Sequence, residues 1–97
     1  MMSANGQPVI VTINPGLGVF CGILEDYDRA QKACVLTRIR MVLTWEGTRG
    51  YLGLSQTGPD KGSHLSARGP RAELQHVESI TECTAEAWAA LDAWPGA

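Results

Sequence analysis

Short apolar stretches, most of them β-branched, alternate along this chain with glycine, proline and aspartate. Val9-Ile10-Val11-Thr12-Ile13 predicts a strand. Asn14-Pro15-Gly16 stops it, since Asn-Pro and Pro-Gly are both turn dipeptides. Gly18-Val19-Phe20-Cys21-Gly22-Ile23-Leu24-Glu25 predicts a second strand, paired with the first as a hairpin. Gly22 inside it marks a bulge or a close backbone approach. After the polar connection Asp26 to Lys32, Ala33-Cys34-Val35-Leu36-Thr37 opens a third strand that runs on through Arg38 to Trp45. A bend is expected near Arg38 to Met41, because strands rarely exceed about 10 residues.

From Thr48 to Pro70 the chain becomes rich in glycine and proline. Short strands are expected at Tyr51 to Ser55 and at His64 to Ala67, around a turn or loop at Gln56 to Ser63. Such loops are where binding concentrates. A strand then runs from Ala72 to Thr81 and hands over to a helix spanning 84–94. Thr84 caps that helix and Glu86 lies in its first turn, where the dipole favours an acid. Trp88 and Leu91 share its apolar stripe, and Trp88 and Trp94 read as core packing and C-terminal anchoring. The fold class is α+β: a mainly antiparallel β-sheet of about five or six strands with one short C-terminal helix packed on it. Residues 1–97 read as a single domain, with a polar lead-in at 1–8 and a Gly/Pro-rich loop region at 48–70.

Composition narrows the classes of function. The 97 residues are 44% apolar and 19% charged, which is globular rather than disordered. A net charge of −2 argues against a general electrostatic grip on DNA or RNA. No apolar run approaches the roughly 20 residues of a membrane span. Met1 to Pro8 has neither the basic start nor the apolar core of a secretory signal, so a cytoplasmic site is expected. Cys21, Cys34 and Cys83 are odd in number and far apart, which reads as reduced, buried thiols.

Catalytic chemistry is not indicated. Gly47-Thr48-Arg49-Gly50 lacks the Gly-Lys-Ser/Thr ending of a phosphate-binding loop, and no Gly-x-Ser-x-Gly elbow occurs. Cys21, Cys34, Cys83, His64 and His76 show no paired ligand spacing, so neither metal nor cofactor is expected. Cys83 with His76 offers a nucleophile and base, against the alternative of a buried structural thiol. Asp26 and Asp28 lack the further oxygen ligands of a calcium loop.

One constellation suits binding. Six of the eight basic residues fall between Arg38 and Arg71, and five of those six are arginine, whose planar fork pairs with phosphate or carboxylate. The candidate ligand-binding residues are Arg38, Arg40, Trp45, Arg49, Tyr51, His64, Arg68 and Arg71. Arg38 and Arg40 are two apart, so on a strand they share a face. The arginines would neutralise phosphate, and Trp45 or Tyr51 would stack on a flat ring. The competing reading is a set of surface arginines paired with Glu25, Glu46, Glu73 or Glu78.

Gly18-Val19-Phe20-Cys21-Gly22-Ile23-Leu24, Val35-Leu36, Arg40, Trp45-Glu46-Gly47 and Ile80-Thr81-Glu82-Cys83-Thr84-Ala85-Glu86-Ala87 follow one another in an order that resembles an uncharacterised family of small phage and prophage proteins, a domain of unknown function. The resemblance implies a viral or prophage origin and an accessory, non-enzymatic role. Two functions follow as expectations. The first is a binding module in the host cytoplasm that sequesters a small anionic molecule, such as a nucleotide immune signal. The second is a virion structural or decoration protein that assembles through its sheet edges. An inhibitor of one host protein is a third reading. A homo-oligomer is expected in either of the first two.

Overall fold

The computed structural model describes residues 6–14, 18–44 and 50–96, with backbone alone at Gly50 and Tyr51. Among these residues the chain forms β1 (Pro8–Ile13), β2 (Gly18–Asp28), β3 (Ala33–Thr44), α1 (Gly50–Thr57), β4 (His64–Leu65), β5 (Gly69–Leu74), β6 (Val77–Glu82) and α2 (Ala85–Ala93). All six strands pair antiparallel in one sheet, in the order β4-β3-β2-β1-β6, with β5 also on β3. This is an α+β fold with α2 packed on the sheet.

Three expectations are corrected. Tyr51 to Ser55 lies in helix α1 rather than a strand, so the chain has two short helices among its described residues. The expected strand at His64 to Ala67 shrinks to His64–Leu65. The run from Ala72 to Thr81 is two strands that lie in different parts of the sheet. The turn residues Pro15 and Gly16, the end of the third strand at Trp45, and Glu46-Gly47 lie outside the described residues.

That division of the run decides the shape of the molecule. β5 pairs with β3, β6 pairs with β1, and β2 lies between β3 and β1. In a flat sheet β5 and β6 would stand about 19 Å apart, four strand spacings. Only Gln75 and His76 connect them, and three Cα steps reach about 11 Å at most. The sheet therefore has to curl. The curl is fastened where Val77 N–H donates to the Lys32 carbonyl at 2.9 Å and Asn14 N–H donates to the His76 carbonyl at 2.9 Å. Lys32 (φ 52°) and His76 (φ 59°) occupy the left-handed region, which costs a side-chain-bearing residue roughly 1 kcal/mol each.

β3 bends to follow the curl. Cys21 faces Arg40 and Ile23 faces Thr37, so Arg38 and Ile39 together oppose Gly22. This is a bulge, and Arg38 takes a left-handed φ of 51° in it. Gly22 allows the close approach: a Cβ there would lie 2.9 Å from the Thr37 carbonyl oxygen and 3.3 Å from the Ile39 Cα. The bulge also shifts the alternation of side chains. Leu36 and Ile39 enter one core, whereas Arg40 and Val42 turn to the face that carries the helices.

The sheet consequently has a core on each face. Val9, Val11, Leu24, Leu36 and Val77 fill the inside of the curl. Ile10, Cys21, Val42, Leu54, Leu65 and Leu91 form the second core under α1 and α2. β1 contributes to both, which is why residues 9–13 are all buried.

Thr84 joins the two helices. Its hydroxyl oxygen accepts from Ala87 N–H at 3.0 Å, capping α2, and its O–H donates to the Gln56 carbonyl at 2.6 Å. Its own N–H donates to the Ser55 carbonyl at 2.9 Å. One residue thus satisfies an orphan donor of α2 and orphan acceptors at the end of α1. Gly58 follows α1 with φ 83° and donates to the Leu54 carbonyl, a left-handed helix ending. A Cβ on Gly58 would stand 2.7 Å from the Ala90 Cβ, so glycine there lets the helices touch.

Two substitutions test this construction. Gly22→Ala drives a methyl group into backbone and is expected to cost about 1–3 kcal/mol, lowering Tm by roughly 5–15 °C in a domain of this size. An unchanged Tm overturns the close-approach argument. Thr84→Ala is expected to cost about 1–2 kcal/mol in urea unfolding, with Thr84→Ser retaining most of the stability; equal losses in the two variants rule out the hydroxyl as the joint.

Candidate functional site

The bulge in β3 delivers two arginines to the last turn of α2, and the connection between β4 and β5 delivers a third. Arg40 is only 3% exposed. Its Nε donates to the Ser66 carbonyl at 2.9 Å, and Nη1 donates to the Leu91 carbonyl at 2.8 Å and the Asp92 carbonyl at 3.5 Å. Leu91 and Asp92 lie in the last turn of α2, whose carbonyls have no partner within the helix and carry the negative end of its dipole. Arg40 supplies donors and charge to that end. Burial pushes its pKa below the usual guanidinium value, while the charge of Asp92 acts in the opposite direction. Ser66 is fixed in turn, since Met41 N–H donates to its hydroxyl at 2.8 Å and its own N–H donates to the Met41 carbonyl at 2.8 Å.

Above Arg40 the Asp92 carboxylate takes the other two arginines. Arg38 Nη2 donates to Oδ2 at 2.6 Å, and Arg68 Nη1 donates to Oδ1. Arg68 Nη2 also donates to the Asp92 carbonyl. The Arg38 guanidinium lies 6.0 Å from the centroid of the Trp88 ring, within cation–π range. Because the two outer ion pairs are solvated, each contributes at most about 1 kcal/mol. Arg40 is another matter: its removal strands buried carbonyls.

Of the residues read as a binding set, the structure gathers Arg38, Arg40 and Arg68. Arg40 lies beneath the surface and Arg38 and Arg68 form its exposed part. His64 stands in β4, with Nδ1 2.9 Å from the Thr44 hydroxyl. Arg71 is exposed in β5 opposite Thr37, with no side-chain partner among the described residues. Tyr51 contributes backbone to the first turn of α1. Trp45 and Arg49 lie outside the described residues. Of the four acids weighed as partners, Glu46 lies outside the described residues, and Glu25, Glu73 and Glu78 hold no arginine in an ion pair among the described residues; Asp92 does. The sequence does contain a signal for it. An acid in the last turn of a helix opposes the dipole, so it needs a cation from elsewhere in the fold.

Cys21 and Cys34 are buried and Cys83 is half-buried. Burial pushes Cys21 up to about 12 from an ordinary 9.0, despite the opposing charge of Arg40. Cys83 rises to about 12, by burial and then by its proximity to Cys21, and Cys34 rises to about 11 by burial. His76 precedes the six-residue strand β6 and Cys83 follows it, so about 20 Å of extended chain separates them. They cannot act as nucleophile and base. Among the described residues no group of three or more His, Cys, Asp or Glu converges on a metal position, and no helix is long and apolar enough to cross a membrane.

These thiols make stability depend on alkaline pH. Below pH 9 they are protonated in both states and the folded state bears no penalty. Above pH 9 the unfolded chain releases thiol protons that the folded chain retains, so stability falls as pH rises from 9 towards 11–12. Urea unfolding at pH 7.5, 9 and 10.5 is expected to show a flat region and then a decline, shallower in a variant with all three cysteines replaced by valine. A thiol reagent at pH 8 should label the native protein slowly and the unfolded protein at three sites. Rapid labelling of the native protein contradicts the burial.

The comparison with curated proteins gives no match. The family described as "Domain of unknown function (DUF6948)" matches residues 6–91, which takes in every strand, α1 and all but the end of α2. The chain belongs to that family.

Proposed function

We propose that this protein is a phage- or prophage-type accessory protein, non-enzymatic, that binds a small anionic ligand over the exposed arginines at the end of α2. A nucleotide immune signal is the ligand class that fits best. The observation that carries this reading is a surplus of charge. Arg38, Arg40 and Arg68 gather at the end of α2 around a single carboxylate, that of Asp92, which pairs with Arg38 and Arg68 while Arg40 takes backbone carbonyls, in a chain whose net charge is −2. The side chains of Arg38 and Arg68 are 54% and 36% exposed. A guanidinium has five N–H donors, and Arg38 uses one of them on Asp92. Phosphate oxygens suit the donors that remain, and a base suits the flat surface that Arg38 and Trp88 make together. Phage or prophage origin rests on the motif order in the sequence, and the host cytoplasm is the compartment this role implies.

A virion or assembly role is the second reading, and one observation favours it. β6 ends the ladder, with no strand on its outer side among the described residues. The free edge of β5 bears Pro70, Arg71 and Glu73, which block strand addition. On the other edge β4 makes a bridge with Gly96. β6 is therefore the edge best suited to a second copy, and a homo-oligomer would form there.

Thermal unfolding with a panel of linear and cyclic nucleotides separates the readings. A ligand at a hundredfold excess over Kd is expected to add about 2.7 kcal/mol, a rise of roughly 10–20 °C. Arg38→Gly removes the charge and keeps the left-handed backbone, so it should fold normally and lose most of that rise; Arg68→Ala should do the same. The absence of any shift across the panel ends the ligand reading. A monomer at all concentrations in sedimentation, missing from purified particles, ends the assembly reading.

A further inference from the structure

The curl creates a concave surface apart from the arginines at α2. Where β6 is fastened to the turn between β2 and β3, a cleft of about 480 Å³ opens, lined chiefly by Asn14, Tyr27, Arg29, Lys32, His76 and Glu78. Its size lies in the range of pockets that hold small metabolites. Six residue steps along β3, roughly 20 Å of strand, separate Lys32 from Arg38, so this cleft is independent of the arginines at α2.

We infer that the cleft is a separate site for the phosphate group of a small metabolite. Its walls come from three connections that the two clasp hydrogen bonds hold together, Val77 to Lys32 and Asn14 to His76. The position of the donors is thus set by the fold. Tyr27 packs against the inner core and fixes one wall. Of the three non-glycine residues in the left-handed region among the described residues, two, Lys32 and His76, belong to this cleft. Strained backbone that retains a polar side chain points to a role for the side chain. The contrast with the arginines at α2 is sharp. Arg29, Lys32 and His76 have no side-chain hydrogen bond or ion pair among the described residues. The nearest acid in sequence, Asp28, is committed elsewhere: its Oδ1 accepts from the N–H groups of Ala30 at 3.0 Å and Gln31 at 3.2 Å. Glu78 is the acid that lines the cleft. A lysine ammonium and a guanidinium from the turn between β2 and β3, with an imidazole from the link between β5 and β6, match a tetrahedral acceptor better than a planar carboxylate, which favours one bidentate fork.

Inorganic phosphate is the probe. Titrated at constant ionic strength and followed by amide resonances, it should shift residues 14, 29–32 and 76–78 saturably. Lys32→Gly keeps the left-handed backbone without strain, so the fold should survive while affinity falls at least tenfold; Arg29→Gln should lower it further. Arg38→Gly should leave phosphate binding at this cleft unchanged, which separates this outcome from that of the nucleotide panel. Non-saturating shifts that chloride reproduces, shifts confined to the Arg38 and Arg68 region, or undiminished affinity in the Lys32→Gly Arg29→Gln double variant would each overturn the assignment. Tighter binding of citrate or acetate than of phosphate would overturn it in favour of a carboxylate.

Discussion

The two-residue link of Gln75 and His76 is the constraint from which the architecture follows. It joins strands on opposite edges of the ladder β5-β3-β2-β1-β6, a distance a flat sheet would not permit. Curling encloses Val9, Val11, Leu36 and Val77 without any helix to cover them. It requires β3 to bend, and the bend is made by a bulge opposite Gly22. It leaves the outer face for α1 and α2. A small chain thereby gains two cores from one sheet, which matters at this length, where burial is barely sufficient for stability.

The bulge has a second effect, on charge. In a regular strand, Arg38 would point with Leu36 into the apolar core. The left-handed residue resets the alternation, and Arg38 and Arg40 both meet α2. A buried guanidinium needs acceptors, and a helix C-terminus offers carbonyls with no internal partner. Each thus answers the requirement of the other. Asp92 would be unfavourable where it stands in α2, but it is the counter-charge that makes three neighbouring arginines tolerable.

The parts of the fold legible in sequence are those set by local chemistry. The β-branched run of β1, the glycine in β2, the bend in β3 and the Thr84 cap all appear where residue type and spacing predict them. What was hidden depends on distant partners. Tyr51 to Ser55 reads as a short strand because the glycines around it disfavour a helix; it is helical because Leu54 is buried in the outer core and Gly58 rests against Ala90. The break at His76 falls in Leu74-Gln75-His76-Val77, where only a positive φ interrupts the pattern, at a residue that gives no glycine signal. The basic cluster could be read as a group of residues. Its target could not, since Asp92 lies 54 residues beyond Arg38.

The cations at α2 and those at the clasp are placed in two different ways. Those near α2 are held by the protein itself: Arg40 wholly, Arg38 and Arg68 in part. Those at the clasp, Arg29 and Lys32, are placed by backbone hydrogen bonds while their side chains remain uncommitted. Internal ion pairs orient an arginine but consume its donors, whereas a clasped backbone places a side chain and leaves all its donors available. Positioning by backbone also avoids the desolvation cost of an internal pair. The clasp that closes the sheet is thus also what brings Lys32 and His76 together, so closure and the geometry of the cleft depend on the same two hydrogen bonds.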